Sequence, residues 1–314
     1  MLTAPEGFVS QNEELRREIR AMVRGAYDLQ GIRIQMGLRV VANFKAKLGQ
    51  HPSMKEDELE IDAQKIITDL RSSYDRITDG VIGTRINVGK INTKLKEPNE
   101  KGEVELISNY SEYCLVKMYI QNLQSEEEAF KAIGKVVAEH PIWIHFLKDV
   151  KGCGPALAAV IISEIDISKA RYPSSLVMYA GIDVARDGQG RSRRAEHQIK
   201  RSYTNAKGEE KERNSITFNP LLKDKLVGVL SGSFLKVGRE ERYAKIYYDY
   251  KHRLENHVNH VNKTPGHRHA MALRYIIRIF LYDMYNAWRP LEGLEVAPTY
   301  QEAKLGHTHR PYND

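Results

Sequence analysis

Hydrophobic residues recur at helical spacing along most of the chain. Near the N-terminus the apolar positions are Leu15, Ile19, Met22, Ala26 and Leu29. Residues three and four apart share one face of an α-helix, so this segment is expected to be an amphipathic helix. Residues 57–77 repeat the pattern, with charged residues on the other face. Two such helices could pack within one chain or form the seam of a homo-oligomer.

Local signals predict where further helices begin. Ser125 followed by Glu128 forms a capping box ahead of an apolar face, which predicts a helix start at this point. Helices are also expected over residues 110–123 and 141–150. The alternation that is typical of strands is scarce, so we predict an all-α fold.

Two prolines predict helices in the C-terminal half. Asn219 before Pro220 and Thr264 before Pro265 each combine a capping side chain with proline in the first helical turn. The second of these helices should run to about Trp288. Between the predicted helices, residues 202–215 are polar and charged, which is consistent with either a β-hairpin or a mobile loop.

A polar stretch divides the chain into two predicted regions. Residues 90–105 lack apolar spacing and include Pro98 and Gly102, which favours a loop or linker. We therefore expect a helical, coiled-coil-like region over residues 1–105. A second helical domain is expected over residues 106–314.

Composition narrows the class of protein. Two cysteines, no signal-type leader and no long apolar stretch predict a cytoplasmic protein that does not cross a membrane. The net charge of +7 favours a polyanionic partner, although ordinary proteins also reach such values. The distribution of the charge is therefore more informative than its total.

A glycine turn is the most specific local motif. Lys151, Gly152 and Gly154 stand between an apolar helix that ends near Leu147 and a small, apolar helical run. Glycines at such a turn allow backbone amides to approach a phosphate, and the next helix adds the positive end of its dipole. We interpret residues 147–165 as a helix-hairpin-helix that binds the DNA backbone. A plain turn between two packed helices is the alternative.

A basic loop follows over residues 183–215. Over residues 183–201 the acidic residues Asp183, Asp187 and Glu196 are outnumbered by the basic residues Arg186, Arg191, Arg193, Arg194, Lys200 and Arg201. Arginine suits phosphate geometry, so we expect DNA contacts here, with a solvated loop as the alternative. The amides after Lys151 and the arginines after Gly190 are expected to form one cationic surface.

The motifs of residues 146–194 resemble the C-terminal domain of Piv-type insertion-sequence transposases, the bridge-RNA-guided recombinases. The residues that fit the family's order of motifs are Gly152, Gly154, Ala158, Glu164, Tyr179, Ala180, Gly181 and Ile182. The tail from Ala272 is also similar to some members, so the resemblance covers the second half of the chain. It implies DNA as a partner and raises RNA as another.

The resemblance also implies catalysis by two parts that this chain matches poorly. The family uses an N-terminal RuvC-like domain with four acidic metal ligands and a C-terminal serine that attacks phosphate. Residues 1–150 are predicted to be helical, so we expect the RuvC-like half to be absent. The hydroxyl nearest to the expected nucleophile is Ser192, two residues after Gly190.

Several functions therefore compete. The first hypothesis is a DNA-binding protein without autonomous catalysis, which needs no cofactor. The second is an active transposase or recombinase in which Ser192 attacks DNA, with His197 as a base or with Mg²⁺. A surface position in a basic loop is the favoured interpretation of His197. The third is a helical structural or interaction protein.

Two groups of residues resemble metal ligands only superficially. Histidines crowd around Pro265, at His252, His257, His260, His267 and His269. Their spacing matches no standard site, so solvent exposure is the favoured interpretation. Glu164 and Asp166 could be metal ligands at the end of a strand, but the helix-hairpin-helix motif places them at the end of a helix.

Overall fold

The first predicted apolar stripe lies on one long helix, α1 (Gln11–Lys47). Ile19, Val23 and Ala26 are buried along it, which confirms the predicted amphipathic face. The structure is a computed structural model that describes residues 11–47, 51, 110–299 and 302–303. The predicted helix at 57–77, the polar stretch at 90–105 and the boundary after residue 105 lie outside the described residues.

The described residues are mostly helical, which confirms the predicted all-α class. After α1 the helices are α2 (Tyr110–Ala138), α3 (Pro141–His145), α4 (Pro155–Glu164), α5 (Pro173–Tyr179), α6 (Pro220–Lys223), α7 (Ser231–Lys236), α8 (Arg242–Asn256) and α9 (Pro265–Leu291). Short 3-10 helices occur at Leu147–Asp149, Ile167–Lys169 and Ala195–His197, and a π-helical stretch, Asp224–Leu230, joins α6 to α7. None of the described helices is long and apolar enough to cross a bilayer.

One antiparallel hairpin interrupts the helices, which confirms the first of the two alternatives for residues 202–215. Strand β1 (Ile199–Thr204) pairs with β2 (Glu210–Ser215), so that Ile199 lies opposite Ser215. The side chains of both strands are largely exposed. The hairpin therefore projects from the helical domain without adding to its core.

Helix α2 continues through the predicted start at Ser125, so the capping-box prediction was wrong. The Ser125 hydroxyl donates to the carbonyl oxygen of Gln121 at 3.0 Å. A capping serine would instead accept a bond from an amide of the following turn. Bonding to the carbonyl four residues earlier lets serine remain inside a continuous helix.

The two proline-based helix starts are confirmed. The Asn219 side chain accepts a hydrogen bond from the amide of Leu222 at 3.0 Å, and the Thr264 hydroxyl accepts one from the amide of His267 at 3.2 Å. These side chains satisfy amides that lack an intrahelical acceptor. Helix α9 extends three residues beyond the predicted end, to Leu291.

The chain divides into two compact units. One comprises Arg24–Ala132 and the other comprises Met1–Val23 with Ile133–Asp314. In the smaller unit the rings of Tyr27 and Phe130 meet edge to face at 5.5 Å. In the larger unit α9 is the central helix, since Phe280 is fully buried against Phe146 and Phe234. The candidate site lies entirely in the larger unit.

Candidate functional site

The glycine turn, residues 150–154, is anchored at its first glycine. Gly152 has a φ of +93°, and a Cβ built there would lie 3.2 Å from the carbonyl carbon of Ser233 and 3.3 Å from the nitrogen of Phe234. Glycine therefore serves both the backbone conformation and the close approach to α7. The Cys153 amide donates to the Val150 carbonyl at 2.9 Å and closes the turn.

The second glycine of the turn faces open space. Gly154 is the N-cap of α4, and a Cβ built there would meet no atom within 4 Å. The amides of Ala156 and Leu157 belong to the first turn of α4, where an α-helix offers no backbone acceptor. The start of α4 is therefore the open side of the glycine turn, whereas Gly152 is packed against α7.

The charge of Lys151 is compensated locally. Its ammonium lies 2.6 Å from a carboxylate oxygen of Glu241, just before α8. The Lys151 side chain nevertheless remains 65% exposed. A surface ion pair of this kind is weak, so the lysine remains available to a more strongly charged partner.

The Tyr179-Ala180-Gly181-Ile182 motif ends α5 and directs the chain into the next loop. Gly181 has a φ of +65°, and a Cβ there would lie 2.6 Å from the Phe218 ring. The Ile182 amide donates to the Val177 carbonyl at 3.0 Å. The motif therefore fixes the direction of the chain where residue 183 begins the basic segment.

We call residues 183–198 the serine loop. Its first part is a narrow hairpin in which the Ala185 amide donates to the Gln189 carbonyl at 2.7 Å. The Arg191 guanidinium makes a two-pronged pair with the Asp183 carboxylate, at 3.1 Å from Nε and 2.6 Å from Nη2. Arg191, a predicted DNA contact, thus stabilises the base of the loop.

The serine loop brings Ser192, His197 and Asp187 together. Ser192 Oγ lies 3.0 Å from His197 Nδ1, and His197 Nε2 lies 3.0 Å from Asp187 Oδ2. The Ser192 amide also donates to Nδ1 at 2.9 Å. Because an amide can only donate, Nδ1 carries a lone pair and Nε2 carries the proton that Asp187 accepts.

His197 is only 3% exposed, so its interpretation as a surface histidine was wrong. The sequence places His197 five residues after Ser192, but the loop closure that brings it inward is a tertiary feature. The sequence pattern indicates for Asp187 only a negative charge that offsets the arginines. The amide of Gln189 and the His197 side chain lower the pKa of the Asp187 carboxyl and favour its charged form.

Arg194 joins the same cluster. Its Nε donates to Ser192 Oγ at 3.1 Å, and its backbone amide donates to the same oxygen at 3.3 Å. These donors would stabilise negative charge on the serine oxygen. A third contact, 3.5 Å from Arg194 Nη2 to Asp187 Oδ2, ties the guanidinium to the acid of the cluster.

The other predicted contacts remain on the surface. Arg186 and Arg193 are exposed and form no ion pair with any residue in the described ranges. On β1, Lys200 is 75% exposed and lies 3.7 Å from Glu212, and the exposed Arg201 faces Arg213 across the hairpin. Charge therefore extends from the serine loop along the hairpin.

The glycine turn and the serine loop have separate neighbours. Lys151 lines a cavity of about 430 Å³ together with Asp283 of α9, whereas the serine loop meets Arg274 of the same helix. Nine residues of an α-helix span about 13.5 Å and two and a half turns, so Arg274 and Asp283 point in opposite directions. No described hydrogen bond joins the two segments, and one continuous cationic surface stays a prediction.

Two of the other candidate ligands, Glu164 and His269, have structural partners. The Glu164 side chain is buried and accepts from Asn219 at 2.5 Å and from Arg20 at 3.3 Å. The Tyr247 hydroxyl lies 2.6 Å from His269 Nδ1. Within the described ranges no group of three or more histidine, cysteine or acidic side chains could hold a metal ion.

Residues 144–206 match the Transposase IS116/IS110/IS902 family. The matched segment contains the glycine turn, α4, α5 and the whole serine loop, and it ends within the β-hairpin. No curated protein and no solved structure matches the chain. The match establishes a relationship to insertion-sequence transposases through this segment, with DNA as the partner that such a relationship suggests.

Proposed function

We propose that the protein binds the sugar-phosphate backbone of DNA through the serine loop, in a role related to transposition. The observation that carries the proposal is the exposure of Arg186 and Arg193, without anionic partners among the described residues, on a loop inside the transposase-like segment. Guanidinium groups bind phosphate oxygens in pairs, and such contacts position a protein without reading sequence.

The open start of α4 and the charged face of β1 support the same partner. Gly154 leaves the first amides of α4 accessible, and Lys200 and Arg201 extend the positive charge beyond the loop. Neither contact selects a base, so we expect binding to many sequences. DNA binding of this kind needs no metal and no strand breakage.

The proposal is tested by removing the two exposed charges together. Arg186→Gln with Arg193→Gln should weaken binding to a labelled duplex by roughly 100-fold, since each charge-assisted contact contributes about 1.5 kcal/mol. The slope of log K against log salt should decrease in magnitude by about 2, one for each lost phosphate contact.

Lys131→Gln with Lys135→Gln is the matched control. Both lysines are exposed on α2, and the change removes the same net charge from the chain. A general loss of positive charge would weaken both double variants equally. Equal binding by the two variants would contradict a specific role for the serine loop.

A second candidate function is strand transfer by Ser192. The contacts of Ser192 with His197, and of His197 with Asp187, favour it because they supply the base that an unactivated serine lacks. Ser192 Oγ would attack phosphorus while its proton passes to His197 Nδ1. The bond between phosphorus and one sugar oxygen would break, and that oxygen would take up a proton. The other strand end would then be joined to Ser192 through its phosphate.

A further inference from the structure

Two cations from other helices lie directly beneath the serine loop. A Cβ built on Gly190 would fall 1.6 Å from Nη1 of Arg274. Glycine at this position therefore lets the guanidinium rest against the loop backbone. Lys223 of α6 donates from Nζ to the carbonyl oxygen of Arg191. The two cations thus contact the two residues that immediately precede Ser192.

The positive charge at this place exceeds the negative charge. Lys223 interacts electrostatically with Arg274, Arg191 and Arg193, and Asp183 is the one carboxylate among its charged neighbours in the described chain. That carboxylate is already paired with Arg191. Within the described residues the cations of this cluster therefore share a single carboxylate, that of Asp183.

The hydrogen-bonding capacity of these cations is also unfilled. Arg274 Nη1 is buried without a hydrogen-bond partner among the described residues. Lys223 Nζ lies 4.6 Å from the centre of the Phe218 ring, and Arg191 supplies its described acceptor. Leaving a buried charged donor unpaired costs free energy, which an anionic ligand would recover.

We propose that Lys223 and Arg274, with Arg193 at the rim, form a binding site for one phosphate of the DNA backbone beside Ser192, which we call the phosphate site. The inference rests on the proposed function and adds two residues from outside the loop that carries it. A phosphodiester fits because it brings one negative charge and two free oxygens to several donors. A phosphate bound in this site would lie next to the Ser192 hydroxyl.

The phosphate site makes DNA binding depend on pH. Burial, followed by the charge of Arg274, lowers the pKa of Lys223 to about 8. The lysine is therefore charged below pH 8 and loses its proton as the pH rises through this value. A bound phosphate favours the charged form, so affinity should decrease over the same interval. The other charged groups that face Lys223 are Arg274, Arg191, Arg193 and Asp183.

The experiment compares the wild-type protein with Lys223→Arg and Lys223→Gln at pH 7 and pH 9, by titration with a labelled DNA duplex. Wild-type affinity should fall by up to about tenfold between the two values, because one charge-assisted contact is lost. Lys223→Arg should bind similarly at both values, since arginine stays charged. Lys223→Gln should bind weakly at both.

Inorganic phosphate provides a second measurement. Added at constant ionic strength, it should compete with DNA for the wild-type protein and for Lys223→Arg more than for Lys223→Gln. The arginine variant keeps the test valid if the glutamine variant does not fold. A duplex of RNA that binds more tightly than DNA would overturn the assignment of the ligand.

Two failures are distinguishable. The phosphate site is refuted if the wild-type protein and Lys223→Arg bind DNA with the same pH dependence. It is also refuted if Lys223→Gln binds DNA like the wild-type protein at pH 7. DNA binding through the serine loop would then still stand. If the wild-type protein does not bind DNA at either pH, both proposals fail together.

Discussion

Ser192 Oγ lies 3.0 Å from His197 Nδ1, while the amide of the same serine donates to that nitrogen at 2.9 Å. The hydrogen bond from the Ser192 amide requires a lone pair on Nδ1. On the opposite edge of the ring, Nε2 donates to the Asp187 carboxylate. The hydroxyl and the amide share one lone pair, so proton transfer to His197 requires the hydroxyl to displace the amide. Substituting single residues of this cluster therefore distinguishes their contribution to DNA binding from their contribution to adduct formation.

Ser192→Ala should abolish covalent attachment to DNA and leave binding within about twofold of wild type, because the hydroxyl contributes little to phosphate contacts. The measurement is incubation with end-labelled duplexes and branched junctions, followed by denaturing electrophoresis. A protein that forms no adduct in the wild-type form would exclude strand transfer under these conditions. An adduct that survives the alanine change would move the nucleophile elsewhere.

Asp187→Asn should reduce the rate of any adduct formation by about 10²- to 10⁴-fold while DNA affinity changes little. An amide nitrogen facing His197 Nε2 disfavours the tautomer that leaves Nδ1 free. Single-turnover rates check this expectation. Asp224→Asn is the control, since Asp224 is exposed and 3.7 Å from Lys225. Equal rates for the two variants would leave Asp187 with no chemical role.

Gly152→Ala should destabilise the fold by about 1–3 kcal/mol, because alanine is strained at positive φ and its methyl group would press on the backbone of α7. Gly154→Ala should destabilise the fold by less, about 0.5–1 kcal/mol, since Gly154 has a φ of −75° and open space around it and alanine is only a poorer N-cap than glycine. Denaturant unfolding of both variants measures the difference. Similar losses at the two positions would contradict the described packing of the turn.

Cys153 should be unreactive in the native protein. Burial raises the pKa of its thiol to about 12, so the thiolate fraction at pH 9 is roughly one in a thousand. Thiol titration of a Cys114→Ser variant at pH 9 should show slow reaction, and unfolding in denaturant should make the reaction fast. Rapid labelling of the native variant would show that the glycine turn opens readily.

Local sequence was sufficient for much of the helical framework. The stripe from Leu15 to Leu29 and the caps at Asn219 and Thr264 depend on residues within one or two helical turns, so periodicity and cap chemistry identify them. The capping box at Ser125 failed for the same local reason. A serine can cap a helix or bond to an earlier carbonyl within one, and its neighbours do not decide between these states.

Consecutive residues encode the glycine turn and the basic segment of the helical, transposase-like region, so both could be predicted from the sequence. Three features depend on the tertiary fold: Gly152 packs against α7, His197 turns inward to Ser192 and Asp187, and Arg274 comes from 84 positions away in the chain to lie against Gly190. These contacts join segments whose separation along the chain carries no periodic signal. Only the packing of α7 against the glycine turn, and of α6 and α9 against the serine loop, specifies them.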